Sequence, residues 1–385
     1  MADAELQETI QHRFPRFLAA GVDYNDAHTM LSKVTRMDQW LPVWEELGQT
    51  HETMGEAALA DGRLLTAGEA FQRASLYFHI GQSVSFGDRA KKERMQERQR
   101  AAYAKAAPHL AIPASIIDVP YDGDSFPANL RVPASDGPVP CVMLTCGADS
   151  TKEEFYTLEN EFLKRGIATC SYDGPGQSLT LKKWPLRPDW EVPVGAVMDA
   201  LSARPEIDGD RIGIWGRSYG GYAAPRAAID PRMKACISIG GFYAMVDLWD
   251  RLPFAVQDTL RFGFGDATVA DGRETAKGFT LEGVLGRITC PLLIVHSGMD
   301  EICPVEESQR MINEAGDDAE LVVFPEGNHV CDNIPFKARP LMADWMAAKL
   351  ALYKEKEWRP GSARIVGRQH RVEAGGKPLQ RHRKL

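Results

Sequence analysis

The sequence predicts a two-part chain: an all-helical N-terminal region, then an α/β domain with a mostly parallel sheet and helices on both faces. Three observations carry this. Residues 1–108 place apolar side chains at helical spacing and contain no strand-like run. From Val139 onward, short apolar runs alternate with amphipathic stretches, the order of repeated strand–helix units. The runs themselves, such as Val139-Pro-Cys-Val-Met-Leu-Thr145, are apolar throughout, as strands buried on both faces require.

The 385 residues suffice for one large domain and a smaller one. With 44% hydrophobic and 25% charged residues, the composition is that of an ordinary globular protein. A net charge of −8 argues against nucleic acid or an anionic membrane as the main partner. No apolar run is long enough to span a bilayer, and the polar, acidic start Met1-Ala-Asp-Ala-Glu-Leu-Gln7 is not a signal peptide. The seven cysteines are odd in number and lack a C-x-x-C, so they read as buried thiols in a reducing cytoplasm. No Cys/His spacing suits a metal, and no cofactor motif is present.

In chain order, helices are expected at Glu5–Ala20, Asn25–Val34, Asp38–Ala60, Leu64–Phe86 and Arg89–Ala106. The fourth is apolar on more than one stripe, which places it between other helices. His79 and its aromatic neighbours read as core packing, with a roof over a substrate pocket as the sharper reading. Pro108 and Pro113 bracket a linker into residues 109–353. Strands Ser115–Pro120 and Ala128–Val132 flank a turn at Asp122-Gly-Asp124. There follow strand Cys141–Thr145, helix Lys152–Arg165, strand Ala168–Tyr172, helix Val192–Arg204, strand Arg211–Ile214, helix Tyr222–Ile229 and strand Cys236–Ile239. Residues 242–286 break the alternation as an irregular cap segment. It resumes with strand Pro291–His296, helix Val305–Ala315, strand Leu321–Phe324 and helix Pro335–Tyr353. Residues 354–385 hold ten Lys/Arg against three Glu and little apolar surface, and read as a disordered basic tail.

The chemistry lies in loops after strands, where an open α/β sheet gathers its reactive groups. Gly216-Arg-Ser-Tyr-Gly220 sits between a strand and a helix, the G-x-S-x-G of a nucleophile elbow, which makes Ser218 the candidate nucleophile. A Cβ at either glycine would collide with its neighbours. Asp300 follows the strand ending at His296, and His329 follows the strand ending at Phe324, giving the order Ser…Asp…His of an α/β-hydrolase triad. Serine needs an imidazole to take its proton, and the imidazole needs a carboxylate to fix its tautomer. The loop Thr145-Cys-Gly-Ala-Asp-Ser-Thr151 occupies the place that supplies an oxyanion-hole amide, from Ala148 or Gly147, to join that of Tyr219. Ser150-x-x-Glu153 or Thr151-x-x-Glu154 reads as a capping box whose helix points its positive end at the oxyanion. Asp173-Gly-Pro-Gly-Gln177 reads as a tight turn at the rim of the site; it lacks the pattern of a phosphate loop.

With these residues in place, the chain resembles the α/β-hydrolases with an N-terminal helical domain, a family that includes 2,6-dihydroxypseudooxynicotine hydrolase and the fungal pigment polyketide-shortening hydrolases. The pieces that carry the resemblance are Gly147-Ala-Asp-Ser-Thr-Lys-Glu-Glu154, Tyr172-Asp-Gly-Pro-Gly-Gln177, Gly216-Arg-Ser-Tyr-Gly-Gly221, Ser238-Ile-Gly-Gly-Phe242 and Met342-Ala-Asp-Trp345. It implies that residues 1–108 form a lid over the site and help build a homodimer, and that the triad is Ser218, Asp300 and His329. The nicotine enzyme also uses a Glu after its sixth strand. The matching stretch here, Ala244-Met-Val-Asp-Leu-Trp-Asp-Arg-Leu-Pro253, offers only Asp247 and Asp250 as auxiliary acids. The expected activity is hydrolysis of a small carbonyl substrate through an acyl-enzyme, at a C–C bond of an aryl ketone or β-dicarbonyl compound. A carboxylesterase is the alternative, and a non-catalytic scaffold the reading from another class.

Overall fold

The computed structural model describes residues 4–84, 88–266, 268–352 and 364–365. The N-terminal region is helical, with α1 (Ala4–Ala20), α2 (Tyr24–Lys33), α3 (Trp40–Ala60), α4 (Leu64–Gln82) and α5 (Arg89–Ala106). Asp23 caps α2 by accepting from the Asn25 N–H at 2.8 Å. From Ala67 onward most of α4 is buried, because α3 and α5 cover it. Phe17, Trp40, Trp44 and Tyr77 interlock beneath it, with Phe17 and Trp44 edge to face at 5.6 Å.

The sheet begins with a hairpin, β1 (Ala114–Tyr121) and β2 (Asp124–Arg131), turning at Asp122 and Gly123 with φ of 49° and 76°. Two consecutive positive φ values match the twist of the flanking strands. The remaining strands are β3 (Val139–Thr145), β4 (Ala168–Tyr172), β5 (Ile207–Arg217), β6 (Ala235–Ile239), β7 (Leu292–Ser297), β8 (Ala319–Phe324) and β9 (Arg364–Ile365). Their order is β1-β2-β4-β3-β5-β6-β7-β8-β9, parallel from β4 through β8 and antiparallel at both margins. Apart from Arg364 and Ile365, which pair with β8, the basic tail expected at 354–385 lies outside the described residues.

Strand alternation fills two cores. Cys141, Met143, Ile212 and Ile214 point to one face, under α7 (Glu191–Ser202) and α8 (Tyr219–Ala227). Val142, Leu144, Trp215 and Ile237 point to the other, under α6 (Tyr156–Leu163) and α13 (Pro335–Lys349), where Trp345 is fully buried. Residues 242–286 are more regular than expected, with short helices α9 (Met245–Leu248), α10 (Phe254–Phe264) and α11 (Val269–Ala276). α12 (Val305–Glu314) completes the set. β4 and β5 leave β3 on opposite sides, so the crevice at the switch in strand order opens beyond the ends of β3 and β5. Among the described residues, no helix is long and apolar enough to cross a membrane.

Candidate active site

β5 ends at Arg217 and α8 starts at Tyr219, so Ser218 alone makes the turn, with φ 56° and ψ −118°. A non-glycine residue held there stores on the order of 1–3 kcal/mol, which the surrounding packing must sustain. The two glycines of the motif are sterically required. A Cβ on Gly216 would lie 1.9 Å from the Gly220 carbonyl oxygen, and one on Gly220 would lie 2.2 Å from that of Thr145. The Ser218 N–H donates to the Ile239 carbonyl at 2.9 Å, tying the elbow to β6.

His329 follows β8, and its Nε2 lies 3.0 Å from Ser218 Oγ. Its Nδ1 lies 2.8 Å from Asp300 Oδ2. The other Asp300 oxygen accepts from the Ile302 and Cys303 N–H groups at 2.9 and 2.8 Å. Burial alone would raise the Asp300 carboxyl, but the facing His329 overrides it and holds the group below its ordinary value. An ionised Asp300 accepts from Nδ1–H, which leaves Nε2 as the acceptor for the serine hydroxyl. An imidazole so placed can take the Ser218 proton.

Gly147 and Ala148 line the cleft beside Ser218, and an added Cβ at Gly147 would sit 3.6 Å from Ser218 Cβ. Tyr219, as the first residue of α8, has a backbone N–H without an intrahelical acceptor. The segment after this loop corrects the sequence expectation. Its first turn, Lys152–Phe155, is a 3-10 helix that the Thr151 side chain does not cap. Ser150 Oγ instead donates to Glu154 at 2.8 Å, and Glu154 is drawn away to Arg16. The Asp173–Gln177 turn buttresses the same loop. Gln177 Nε2 donates to the Cys146 and Gly147 carbonyls at 3.0 and 3.2 Å, and Asp173 accepts from the Lys152 N–H at 2.8 Å.

The cleft opens to solvent, and its empty space with the open solvent at its mouth included is about 640 Å³. Val256, Thr259 and Ile302 line part of it, and Arg13, Arg16, Arg217, Asp149 and Asp332 bring charge to the rest. A second cleft of about 360 Å³ shares Ala148, Asp149, Ser150 and Thr259 with it and reaches Lys92 of α5. Arg16 donates to Glu154 through Nε (2.6 Å) and Nη2 (2.7 Å) and to both Asp149 oxygens at 3.0 Å. Burial would raise Asp149 and Glu154, but Arg16 in particular reverses this and keeps both ionised, well below the usual carboxylate range. His79 is fully buried, as the core-packing reading expects, and its Nε2 lies 3.2 Å from Glu154, so it also braces this network.

Asp247 and Asp250 do not join the site. Asp247 is half exposed and bonded to Arg310 at 2.8 Å; Asp250 is 72% exposed and paired with Arg273 at 3.0 Å. The cap segment folds with its polar face outward, where each aspartate meets a surface arginine; Arg273 holds Asp250 below its ordinary value. Neither can serve as a proton donor inside the cleft. Arg13, Arg16, Glu154 and Gln177 were not singled out as site residues from sequence. Gln177 and Glu154 lay in recognisable motifs; the arginines look like the polar face of an ordinary helix. Among the described residues, no group of three His, Cys, Asp or Glu is placed to hold a metal.

Fold and site define a hydrolase of the α/β-hydrolase class with a helical region set against its strand ends. Within that class the chain belongs to the esterase FrsA-like family, whose model matches residues 14–351. It is 34% identical over 337 residues to 2,6-dihydropseudooxynicotine hydrolase of Paenarthrobacter nicotinovorans, covering 86% of this chain and 90% of that protein. It is 30% identical to the alpha/beta hydrolase pydG of an Acremonium species, covering 80% and 86%. The crystal structure of the 2,6-dihydroxy-pseudo-oxynicotine hydrolase matches with a TM-score of 0.82 at 32% identity, over 88% of this chain and 96% of that one.

Proposed function

We propose that Ser218, His329 and Asp300 are the catalytic triad of a hydrolase that cleaves a small carbonyl substrate through an acyl-enzyme. The observation that carries this is the continuous relay from Ser218 Oγ through His329 to Asp300, opening on a cleft. Ser218 attacks the carbonyl as its proton passes to His329 Nε2. The tetrahedral oxyanion is held by the N–H groups of Tyr219 and Ala148, with Gly147 as the neighbouring donor, and each such donor is worth about 10²–10³ in turnover. Collapse breaks the bond to the leaving group, which takes the proton from the His329 imidazolium. Water, deprotonated by His329, then releases the acyl group.

The bond broken is a C–C bond of an aryl ketone or β-dicarbonyl compound, the class to which the named nicotine-derived relative points. With Asp247 and Asp250 outside the cleft, His329 protonates the departing carbon, so the leaving group must delocalise its charge as an enolate or phenolate. A second reading, a carboxylesterase, is favoured by the placement of Asp247 and Asp250 on the outer surface, paired with Arg310 and Arg273, since an alkoxide needs no proton donor beyond His329. Side-by-side assays of aryl-ketone and p-nitrophenyl-ester panels separate the two. Ester turnover with no ketone cleavage across the panel would remove the C–C reading.

Residues 1–108 act as the lid, and the protein works as a cytoplasmic homodimer. Seven buried free thiols support a reducing compartment. Exposed Met54, Leu64 and Leu65 near the α3–α4 turn supply apolar surface for the dimer. A monomeric mass by light scattering would remove the dimer.

A further inference from the structure

Three guanidiniums reach a cleft that a neutral ketone or ester would not need. Their uses differ. Arg16 is consumed by structure, since its three nitrogens bond Glu154, Asp149 and Ser150. Among the described residues, Arg13 gives only Nη1 to Asp149, at 2.6 Å, an oxygen it shares with Arg16. Arg217, adjacent to Ser218, gives Nη2 to Asp332 at 2.7 Å, with Nη1 a longer 3.7 Å from Glu154. A guanidinium has five N–H donors, so both arginines hold donors beyond those spent on their carboxylates. Arg13 is only 8% exposed and Arg217 7%, and each lines the cleft. The charges are unequal as well. The network joins Arg13, Arg16, Arg217 and Arg339 to Asp149, Glu154 and Asp332, one cation in excess.

We propose that Arg13 and Arg217 form a carboxylate-binding subsite, so that the substrate is a carbonyl compound carrying a carboxylate beside its apolar body. This rests on Ser218 being the nucleophile, and it adds the substrate's charge to that reading. A planar guanidinium fork matches the two oxygens of a carboxylate, and a bond from a guanidinium that is itself nearly buried is stronger than one at the surface. Val256 and Ile302 receive the apolar part. Since Arg13 belongs to the helical region and Arg217 to the elbow, the subsite is complete only when α1 is seated against the loop after β3.

The test uses the full-length protein and two substrates that differ in one charge, p-nitrophenyl hemiglutarate and its methyl ester. Wild type should favour the anion in kcat/KM by at least about tenfold, the scale of a hydrogen bond to a charged group. Arg13→Gln should cut that ratio about tenfold, mainly through KM, and Arg13→Lys should retain part of it. The ratio is taken within one variant, so a general loss of activity cancels. A ratio unchanged in both Arg13→Gln and Arg217→Gln would overturn the subsite, as would a wild-type preference for the neutral ester. A second measurement needs no variant: glutarate should slow fluorophosphonate labelling of wild-type Ser218, and glutaramide should not. Labelling slowed equally by both overturns the subsite alone, whereas no labelling of Ser218 overturns the nucleophile reading and the subsite with it.

Discussion

Two regions meet at the cleft and are built on opposite plans. The strand-end cluster of Ser218, Asp300 and His329 has three polar side chains held by their own turns, each a few residues beyond a buried strand. The second region is a buried ionic network in which Arg13 and Arg16 of α1 grip Asp149 and Glu154, 133–138 positions away in the chain. The first cluster contains what bond cleavage needs. The second decides whether the loop carrying Gly147 and Ala148 is held in place and what charge the substrate meets. In the mechanism we propose, chemistry is local to the sheet and selectivity depends on long-range docking of the helical region.

Perturbing the two regions should therefore fail in different ways. The largest effect is expected at the relay: Asp300→Asn should lower turnover by about 10⁴-fold with little change in melting temperature, because it fixes the wrong imidazole tautomer. A loss below tenfold would remove Asp300 from the relay. Next, Arg16→Ala should destabilise the protein by about 3–5 kcal/mol in chemical denaturation, since it strands buried Glu154 and Asp149 without their partner. A change under about 1 kcal/mol, the level of a surface pair, would mean that the network is incidental.

Lys92 offers a pH-dependent probe of the same interface. Burial pushes its ammonium from the ordinary 10.5 down to about 7, with Nζ donating to the Gln82 carbonyl at 2.9 Å. Below pH 7 the amine is charged in both folded and unfolded chains, so the whole cost of burying the charge falls on the fold. Between 7 and 10.5 the unfolded chain binds more protons, and this site's contribution to stability rises with pH. Lys92→Met should therefore raise the melting temperature more at pH 6 than at pH 9, by on the order of a few degrees. Equal gains at both pH values would contradict a depressed amine. The smallest effect belongs to Asp247→Asn and Asp250→Asn, which should each change stability by less than about 0.5 kcal/mol and leave kcat/KM within twofold. A large loss of turnover in either would return it to the site.

The contrast also explains what could be read from the chain. Ser218, Asp300 and His329 were legible because each sits in a short motif after an apolar run, so local pattern and strand order sufficed. The parallel sheet was legible for the same reason. Arg13 and Arg16 were not, because an arginine on an amphipathic helix has the same local pattern whether it faces water or a carboxylate more than a hundred residues away. The Thr151–Glu154 capping box failed for a related reason: the carboxylate that would have closed it was taken by Arg16. Asp247 and Asp250 were found in the right segment but on its outer face, since the resemblance gave a position in the chain and no direction for the side chain.

The central claim, that Ser218 carries the acyl group, is tested most directly by fluorophosphonate labelling followed by peptide mapping, on wild type and Ser218→Ala in parallel. The relay to His329 and Asp300 predicts one adduct per wild-type chain, on Ser218, and none on the variant. Equal labelling of both proteins would contradict it.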